Sequence, residues 1–383
     1  MRLLQSVAVG LSPFWLLLAS ASPTPVEKQE TATVSNVVIF SPPSNAGWVD
    51  PGVLYARAVQ LKSGALLATW ENCSPEPPNV YFPIYQSTDK GSSWTQISKV
   101  EDTVNGWGLR SQPFLYQLPI AIGKYPVGTL LLAGNSIPKD RSRTKIDVYA
   151  SSDEGLTWSF VSSVASGGVA RAVNGDTPVW EPLLMVHKDQ LICYYSDQRD
   201  SKYGQKLAHQ TTMDLETWGP VVDDVHDDSN YAARPGMAAI TRLPNDQYIF
   251  AYELCGTDDC HVHYKLASSP IDVLPASNYT LKSTTGDTTT SSPFVVWSSA
   301  GGANGTIVLS GSSTSNIFTN RELGDPNAWV EYPTPQPAGY ARSMVLFQGY
   351  DSNMLIIGAG HFPPSSNNSV SVSVIDLAAT MGL

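Results

Sequence analysis

Apolar runs separated by short polar turns repeat along the chain from residue 55 onwards. Six segments share one layout: an apolar strand, a turn containing Gly, Asn or Asp, and a second apolar strand. Because both strands are apolar along most of their length, each segment predicts a hairpin that is buried on both faces. The six hairpins lie at residues 55–71, 110–136, 180–197, 233–253, 291–313 and 340–360.

The spacing of these hairpins predicts the architecture. They recur about every fifty to seventy residues, which is in the range of propeller blades. A four-stranded blade cannot bury both faces by itself, whereas blades stacked around an axis bury them and leave only short edges. We therefore predict an all-β chain folded as a six-bladed β-propeller over residues 34–383, in which each hairpin supplies the two central strands of a blade.

Four turns carry a related sequence that ends in tryptophan. "STDKGSSW" (87–94) and "SSDEGLTW" (151–158) are near copies, "TTMDLETW" (211–218) is one residue shorter before its tryptophan, and "NRELGDPNAW" (320–329) is a weaker trace. The Asp side chain can accept hydrogen bonds from turn amides, Gly permits a positive φ, and Trp can pack between blades. These turns resemble the Asp-box of sialidases and related propellers, and we expect them between the third and fourth strands of their blades. Ordinary Asp-Gly hairpin turns are the alternative.

The beginning of the chain predicts export. A positively charged start, an apolar run and small residues at its end are typical of a secretory signal, so we predict a signal peptide at residues 1–21 and a flexible leader at residues 22–33. The apolar run is too short, and too broken by Gly10 and Pro13, to predict a membrane span. We expect a secreted, extracellular protein.

Composition narrows the possible partners. The chain has 23 Lys and Arg against 34 Asp and Glu, a net charge of −11. This balance disfavours nucleic acid and anionic membranes as partners and suits a neutral or cationic substrate. Its 28 Pro and 29 Gly disfavour long helices. The sequence carries no signal for an oligomer and no nucleotide-binding loop, so we expect a monomer without a cofactor.

Export makes the cysteines and the asparagine triplets informative. Cys255 and Cys260 bracket a short loop and predict a disulfide, while the sequence leaves open whether Cys73 and Cys193 pair. We predict no metal site, because there is no CxxC pair and no well-spaced pair of histidines. The triplet for N-glycosylation occurs at Asn72, Asn278, Asn304 and Asn367.

The ends of the hairpin strands predict a binding face. In a propeller, the first strand of each blade begins, and the second ends, on the same face near the axis. Solvated strand ends would explain any one polar residue there, but charge at the strand ends of most of the six blades favours a polar binding cup. The residues at these positions are Arg57, Glu71, Arg110, Asn135, Glu181, Asp197, Arg234, Glu253, Ser292, Tyr340, Arg342 and His361.

Two glutamates of neighbouring blades stand out. Glu181 lies in "TPVWEPLLM" and Glu253 in "FAYELCG", so that each carboxyl is flanked by apolar or aromatic residues. Desolvation raises the pKa of a carboxyl and keeps a proton available for a leaving group. A pair of carboxyls is what glycoside hydrolysis requires, one to protonate the leaving oxygen and one to attack or to activate water.

The mature chain resembles the fungal secreted exo-1,5-α-L-arabinanases of glycoside hydrolase family 93, which are six-bladed, sialidase-like propellers. The resemblance rests on the secretion signal, the chain length, the Asp-boxes, "VWEP", "AYELCG" and "GYARSM". It implies that Glu181 and Glu253 are catalytic, and that the enzyme releases arabinobiose from the non-reducing end of linear arabinan with retention of configuration. By analogy with sialidases, Glu253 would be the nucleophile, supported by Tyr340, and Glu181 the acid/base.

The other funnel residues suit sugar recognition. An exo-acting enzyme also needs one end of its cleft closed, for which residues 196–230 and 71–82 are both candidates. We predict that charged groups bind sugar hydroxyls at Arg57, Arg110, Asp197, Arg234 and Arg342. Aromatic platforms are predicted at Trp107, Trp180, Tyr195 and Tyr252, each with a place in the core as the alternative.

Two other functions stay open at this point. A sialidase could use Arg57, Arg234 and Arg342 as an arginine triad for a sialic acid carboxylate, although "YARA" is unlike the Arg-Ile-Pro of sialidases. A secreted glycan-binding propeller without activity would share the Asp-boxes but would not need the two desolvated glutamates.

Overall fold

Twenty-four β-strands build the described part of the chain. The computed structural model describes residues 34–44, 47–350, 352–365 and 367–383. Within them the strands form six antiparallel sheets of four strands each, which confirms the predicted six-bladed β-propeller. The predicted signal peptide and the whole predicted leader lie outside the described residues.

The strands follow the blades in chain order. The first to fifth blades are β2–β5, β6–β9, β10–β13, β14–β17 and β18–β21, and the sixth contains β22–β24 and β1. The bounds are β1 (Val37–Phe40), β2 (Val53–Gln60), β3 (Leu66–Asn72), β4 (Phe82–Ser87), β5 (Thr95–Val100), β6 (Leu109–Gln117), β7 (Leu130–Ser136), β8 (Thr144–Ser151), β9 (Ser159–Gly167), β10 (Val179–His187), β11 (Gln190–Asp197), β12 (Lys206–Thr212), β13 (Val222–Val225), β14 (Arg234–Arg242), β15 (Tyr248–Cys255), β16 (His261–Ala267), β17 (Asn278–Thr280), β18 (Phe294–Ser298), β19 (Thr306–Ser310), β20 (Ile317–Asn320), β21 (Trp329–Tyr332), β22 (Ser343–Leu346), β23 (Asn353–Gly358) and β24 (Val370–Asp376), followed by the helix α1 (Leu377–Met381).

The ring is closed by the N-terminal strand. The first strands of neighbouring blades contact one another in order, and β22 of the sixth blade contacts β2 of the first. β1 pairs antiparallel with β24, with Val37 opposite Val372, and so provides the outer strand of the last blade. Because both ends of the described chain share one sheet, the six blades are held as a ring.

The core lies between the blades, as the continuous apolar runs predict. One cluster packs Leu67 and Ile84 of the first blade against Leu130 and Tyr149 of the second. All seven residues of β7 are buried. Each blade therefore buries its faces against its neighbours rather than by itself.

The tryptophan-ending turns fasten adjacent blades. They lie between the third and fourth strands, as predicted. In the second blade, Asp153 accepts hydrogen bonds from the backbone nitrogen and the hydroxyl of Thr157, at 2.9 and 2.6 Å. Trp158 Nε1 of the same turn lies 3.3 Å from Ser98 Oγ of the first blade. The equivalent Trp218 donates to Ser162 of the preceding blade at 3.0 Å.

The structure shows which cysteines are paired and how exposed the asparagine of each glycosylation triplet is. Cys255 and Cys260 form the predicted disulfide, and Cys73 and Cys193 are free thiols. Asn278 and Asn367 are exposed and Asn304 is half-buried. Asn72 is buried, and so is its side-chain nitrogen, to which a glycan would be attached.

No helix in the described ranges is long and apolar enough to cross a membrane.

Candidate active site

Every blade has a backbone irregularity at its first strand. A non-glycine residue with positive φ lies in or just before that strand in all six blades. In β2, β6, β10 and β14 the irregularity is also a break in strand register. Such residues cost about 1–3 kcal/mol each and concentrate at functional sites. They are Tyr55, Gln112, Glu181, Met237, Ser292 and Ala341.

These strand ends surround one pocket. Its volume is about 590 Å³, which is the usual size for a small-ligand site. Five of the six blades contribute lining residues, so only a closed ring brings them together. The predicted site residues that line the pocket are Arg110, Trp180, Glu181, Arg234, Glu253 and Tyr340.

Two carboxyls, that of the half-buried Glu181 and that of the buried Glu253, lie side by side in the pocket. Glu181 Oε2 accepts hydrogen bonds from Ser196 Oγ at 2.7 Å and from the Met237 nitrogen at 3.0 Å. Glu253 Oε2 accepts from Ser291 Oγ at 2.9 Å and from the Ser292 nitrogen at 2.6 Å. Each carboxyl is thus held by a hydroxyl and by a backbone amide of the following blade, which fixes its orientation.

The separation of the two carboxyls follows from their common neighbour, Gly236. A Cβ at Gly236 would lie 3.2 Å from Glu253 Oε1 and 3.6 Å from Glu181 Oε2. Those oxygens are therefore no farther apart than the sum of these distances, about 6.8 Å. Carboxyls of retaining glycosidases lie about 5–5.5 Å apart and those of inverting enzymes about 6.5–9.5 Å, and an oxygen pair within this bound is compatible with the retaining separation.

Burial sets the protonation of the pair. Desolvation and, second to it, the negative charge of Glu253 raise the pKa of Glu181 to about 7, against the hydrogen bonds from Ser196 and Met237. Desolvation also raises the pKa of Glu253, against the hydrogen bonds from Ser292 and Ser291. Since each charge disfavours the other, the pair retains one proton more readily than two isolated carboxyls would.

Arg234 provides the positive charge beside the pair. Its guanidinium donates to neutral amide oxygens, of Asn174 at 2.6 Å and of Gln205 at 2.7 Å. Its charge lowers the pKa of both glutamates. Because its hydrogen bonds go to uncharged groups, the cation stabilises an anion at the pair without forming a salt bridge to it.

Tyr340 closes the pocket from the sixth blade. Burial, and then the charges of Glu181 and Glu253, raise its pKa well above the usual value, so its phenol stays neutral and can donate a hydrogen bond. Its ring lies 4.9 Å from that of Phe362, an exposed aromatic side chain that also lines the pocket. The arrangement combines two carboxyls, a phenol, a cation and an aromatic surface, which is a constellation suited to sugar chemistry.

Solved structures match the whole propeller. An α-L-arabinofuranosidase from Fusarium graminearum, in complex with an iminosugar inhibitor, is 52% identical with a TM-score of 0.89, covering 91% of this chain and 99% of that one. A second structure is the family 93 α-L-arabinofuranosidase of the same fungus with arabinobiose, with the same identity, coverage and TM-score. The chain belongs to glycoside hydrolase family 93. This confirms the family predicted from the sequence.

Two further solved structures match the chain, one at high and one at low sequence identity. An α-L-arabinanase of Penicillium chrysogenum complexed with arabinobiose is 50% identical with a TM-score of 0.88, again over 91% of this chain and 99% of that one. The NanB sialidase of Streptococcus pneumoniae is 10% identical with a TM-score of 0.56, over 90% of this chain and 71% of that one, and shares the fold alone. No family model and no curated protein matches the chain.

Two predicted sugar-binding arginines of this family 93 chain do not line the pocket. Arg57 is buried, donates to the Ala341 carbonyl at 2.7 Å and lies 3.9 Å from the centre of the Tyr55 ring. Arg342 is buried and donates to the carbonyls of the segment 311–316. Both guanidinium groups donate to backbone carbonyls and lie outside the pocket lining, so the predicted contact of Arg57 and Arg342 with substrate is corrected.

Four other predicted contacts also lie away from the pocket. Tyr195 is buried and hydrogen-bonds Gln210, and Tyr252 is buried and hydrogen-bonds Asn278, so the alternative of a core position is correct for both. The other two predicted sugar contacts also lie outside the pocket. Asp197 is buried in an ion pair with Arg199 at 2.7 Å, and Trp107 lies on a loop held by Asp102.

Glu71 and Phe362 are among the lining residues of the family 93 site that the sequence analysis did not assign to it. Glu71 was recognised at the end of a second strand but was not assigned to the site, although it lines the pocket. Phe362 follows the end of β23 in "GAGHFPP", and a search for aromatic residues just beyond strand ends would have found it.

Proposed function

We propose that this chain is a secreted enzyme that hydrolyses linear α-1,5-L-arabinan from the non-reducing end, releases arabinobiose and retains anomeric configuration. The observation that carries the proposal is the pair of Glu181 and Glu253 around Gly236 in the pocket, in a family 93 chain about half identical to proteins solved with arabinobiose. Arabinan is neutral, which suits a chain with a net charge of −11.

In the proposed mechanism Glu181 is the acid/base and Glu253 the nucleophile. Glu181 has its pKa raised to about 7, so it holds a proton for the leaving oxygen near neutral pH. Glu253 attacks the anomeric carbon and forms a glycosyl-enzyme. Water then displaces Glu253 while Glu181 takes its proton. The Tyr340 phenol supports the nucleophile, and Arg234 stabilises its charge.

The wall that makes the enzyme exo-acting is assigned to the segment 71–82. Cys73, Ser74 and Glu76 of this segment line the pocket, and Glu76 forms an ion pair with Arg110 at 3.0 Å. From the competing segment 196–230, Gln205 lines the pocket. The first segment therefore provides more of the wall, and the ion pair fixes it to the second blade.

The two alternative functions receive less support. A sialidase needs several arginines around one carboxylate, but Arg57 and Arg342 donate to backbone carbonyls and only Arg234 of the three lines the pocket. A glycan-binding protein without activity has no use for two adjacent glutamates that are largely removed from water, because desolvating like charges side by side costs free energy.

The deciding assay incubates the enzyme with debranched linear arabinan and, separately, with a sialoside. We expect arabinobiose from arabinan and no free sialic acid. Absence of any released arabinose-containing product would overturn the proposal. Size-exclusion chromatography and N-terminal sequencing of the exported protein test the expected monomer and the removal of residues 1–21.

Azide distinguishes the roles of the two glutamates. With an activated aryl glycoside of arabinobiose, Glu181→Ala is expected to give the arabinosyl azide of retained configuration. Glu253→Ala is expected to give the azide of inverted configuration. The opposite pattern would exchange the two roles without changing the enzyme class.

A further inference from the structure

A third carboxyl, Glu71, lies in the pocket with no part in the proposed mechanism. It ends the second strand of the first blade, is 9% exposed and lines the pocket. Glu71 Oε1 accepts a hydrogen bond from the Gln112 nitrogen at 2.9 Å. Within the described residues no group donates to the second oxygen of Glu71, so this carboxyl retains capacity for a ligand.

Glu71 is connected to the catalytic pair through Gln112. The Gln112 nitrogen donates to Glu71, and its side-chain oxygen accepts from the Glu181 nitrogen at 3.1 Å. Gln112 and Glu181 are both in the left-handed backbone region, with φ of 60° and 61°. Gln112 thereby fixes the position of the Glu71 carboxyl, in the first blade, relative to the backbone of Glu181 in the third.

A purely structural role does not account for a glutamate here. An amide oxygen would accept the Gln112 hydrogen bond equally well, and it would avoid the cost of burying an ionisable group. Burial, with a smaller contribution from the charge of Glu181, raises the pKa of Glu71 to about 7, against the hydrogen bond from Gln112 and the charges of Arg57 and Arg141. Near neutral pH the group is therefore partly protonated and can both donate and accept.

We propose that Glu71 binds a hydroxyl group of the arabinofuranose unit that rests against Glu181 and Glu253, and that it selects for a sugar carrying a hydroxyl at that position. The inference rests on the proposed function. Glu71, Glu181 and Glu253 line the same pocket, and Gln112 bridges Glu71 to the backbone of Glu181, so Glu71 lies on the wall beside the catalytic pair.

The test compares Glu71→Gln with the matched control Glu101→Gln. Gln at position 71 keeps the shape and the acceptor for Gln112 but loses the carboxyl, whereas Glu101 is exposed, paired with Lys99 and outside the pocket. For Glu71→Gln we expect kcat/KM on linear arabino-oligosaccharides to fall ten- to hundredfold, with Tm unchanged or higher. The control is expected to match the wild type.

Binding of arabinobiose, measured by calorimetry, separates this inference from the proposed function. We expect wild type to bind and Glu71→Gln to bind at least tenfold more weakly. Equal binding and equal kcat/KM would overturn the inference and leave the proposed function standing. A wild type that neither binds arabinobiose nor hydrolyses arabinan would overturn both.

A second variant, Glu71→Asp, distinguishes a loss of binding and activity at the site from a loss caused by misfolding. Glu71→Asp keeps a carboxyl but withdraws it from the pocket by one methylene, and we expect the same weaker binding at an unchanged Tm. A loss of activity that merely tracks a fall in Tm across both variants would assign Glu71 a structural role and overturn the inference.

Discussion

Glu181 of the third blade accepts a hydrogen bond from the backbone nitrogen of Met237 in the fourth, at 3.0 Å. The residue before Met237 is Gly236, which lies between the oxygens of Glu181 and Glu253. Because glycine has no side chain, β14 can bring its backbone to one carboxyl and leave a gap beside the other. The gap is where the proposed reaction takes place.

Gly236→Ala is therefore expected to reduce activity far more than stability. The added methyl would lie 3.2 Å from Glu253 Oε1 and 3.0 Å from Gln205 Nε2, inside the gap. We expect kcat/KM on arabino-oligosaccharides to fall at least a hundredfold while Tm changes by only a few degrees.

Gly219→Ala is the matched control for that substitution. A Cβ at Gly219 would make an ordinary contact of 3.4 Å with the Thr211 carbonyl, away from the pocket. We expect wild-type kinetics from it. Wild-type kinetics from Gly236→Ala as well would show that the gap is not where the substrate reacts.

The fold could be predicted from the sequence because the same apolar hairpin pattern occurs six times. Each hairpin supplies two buried strands, and burial on both faces requires neighbours on both sides. The two glutamates could be predicted for a related reason. Each lies at a strand end between apolar residues, so the local sequence alone indicates that its carboxyl is shielded from water. Neither inference depends on the exact direction of a side chain.

The side-chain directions of Arg57 and Arg342 could not be predicted, because each follows a backbone irregularity of its strand end, at Tyr55 and Ala341. Tyr340 and Arg342 are two residues apart and would share one face of a regular strand. Ala341 between them has a φ of 56°, which breaks the alternation. Tyr340 consequently lines the pocket while Arg342 is buried against backbone carbonyls. A left-handed alanine has no sequence signature that could have revealed this.

Arg342→Met is expected to destabilise the fold. Arg342 donates to the carbonyls of Gly311, Ser315 and Asn316, and its loss removes a donor from each, although the Ser315 carbonyl keeps the hydroxyl of Thr334. Unpaired buried groups cost about 1–3 kcal/mol each, so we expect a loss of about 2–4 kcal/mol. Chemical denaturation measures it.

The same variant tests whether Arg342 contacts sugar. We expect the folded fraction of Arg342→Met to keep the wild-type KM, since the guanidinium does not line the pocket. Arg321→Met, which removes a more exposed guanidinium bonded to the Gly301 carbonyl, should cost less stability. A raised KM in Arg342→Met at unchanged stability would restore the sugar-binding role.

Glu71 should make stability depend on pH. Its pKa is raised from 4.5 in the unfolded chain to about 7 in the fold, chiefly by burial. The folded state therefore binds the proton more tightly, and the stabilisation present below pH 4.5 is lost as pH rises through 7. The shift corresponds to at most about 3 kcal/mol.

Comparison of wild type with Glu71→Gln isolates this contribution. We expect the stability advantage of Glu71→Gln, from denaturation curves, to grow between pH 5 and pH 8 by up to about 3 kcal/mol. Other buried carboxyls cancel in the difference. A difference that is constant with pH would mean that Glu71 titrates as it does in the unfolded chain.

Asn72 should remain unglycosylated although its triplet is intact. Its side-chain nitrogen is buried at the end of β3, next to Glu71, so a glycan there would have to displace the strand end that forms the pocket. Asn367 and Asn278 are exposed and should be modified when a eukaryotic host exports the protein. Mass spectrometry of peptides before and after deglycosylation gives the occupancy of each site. A glycan on Asn72 in active enzyme would contradict the burial of that strand end and, with it, the position of Glu71.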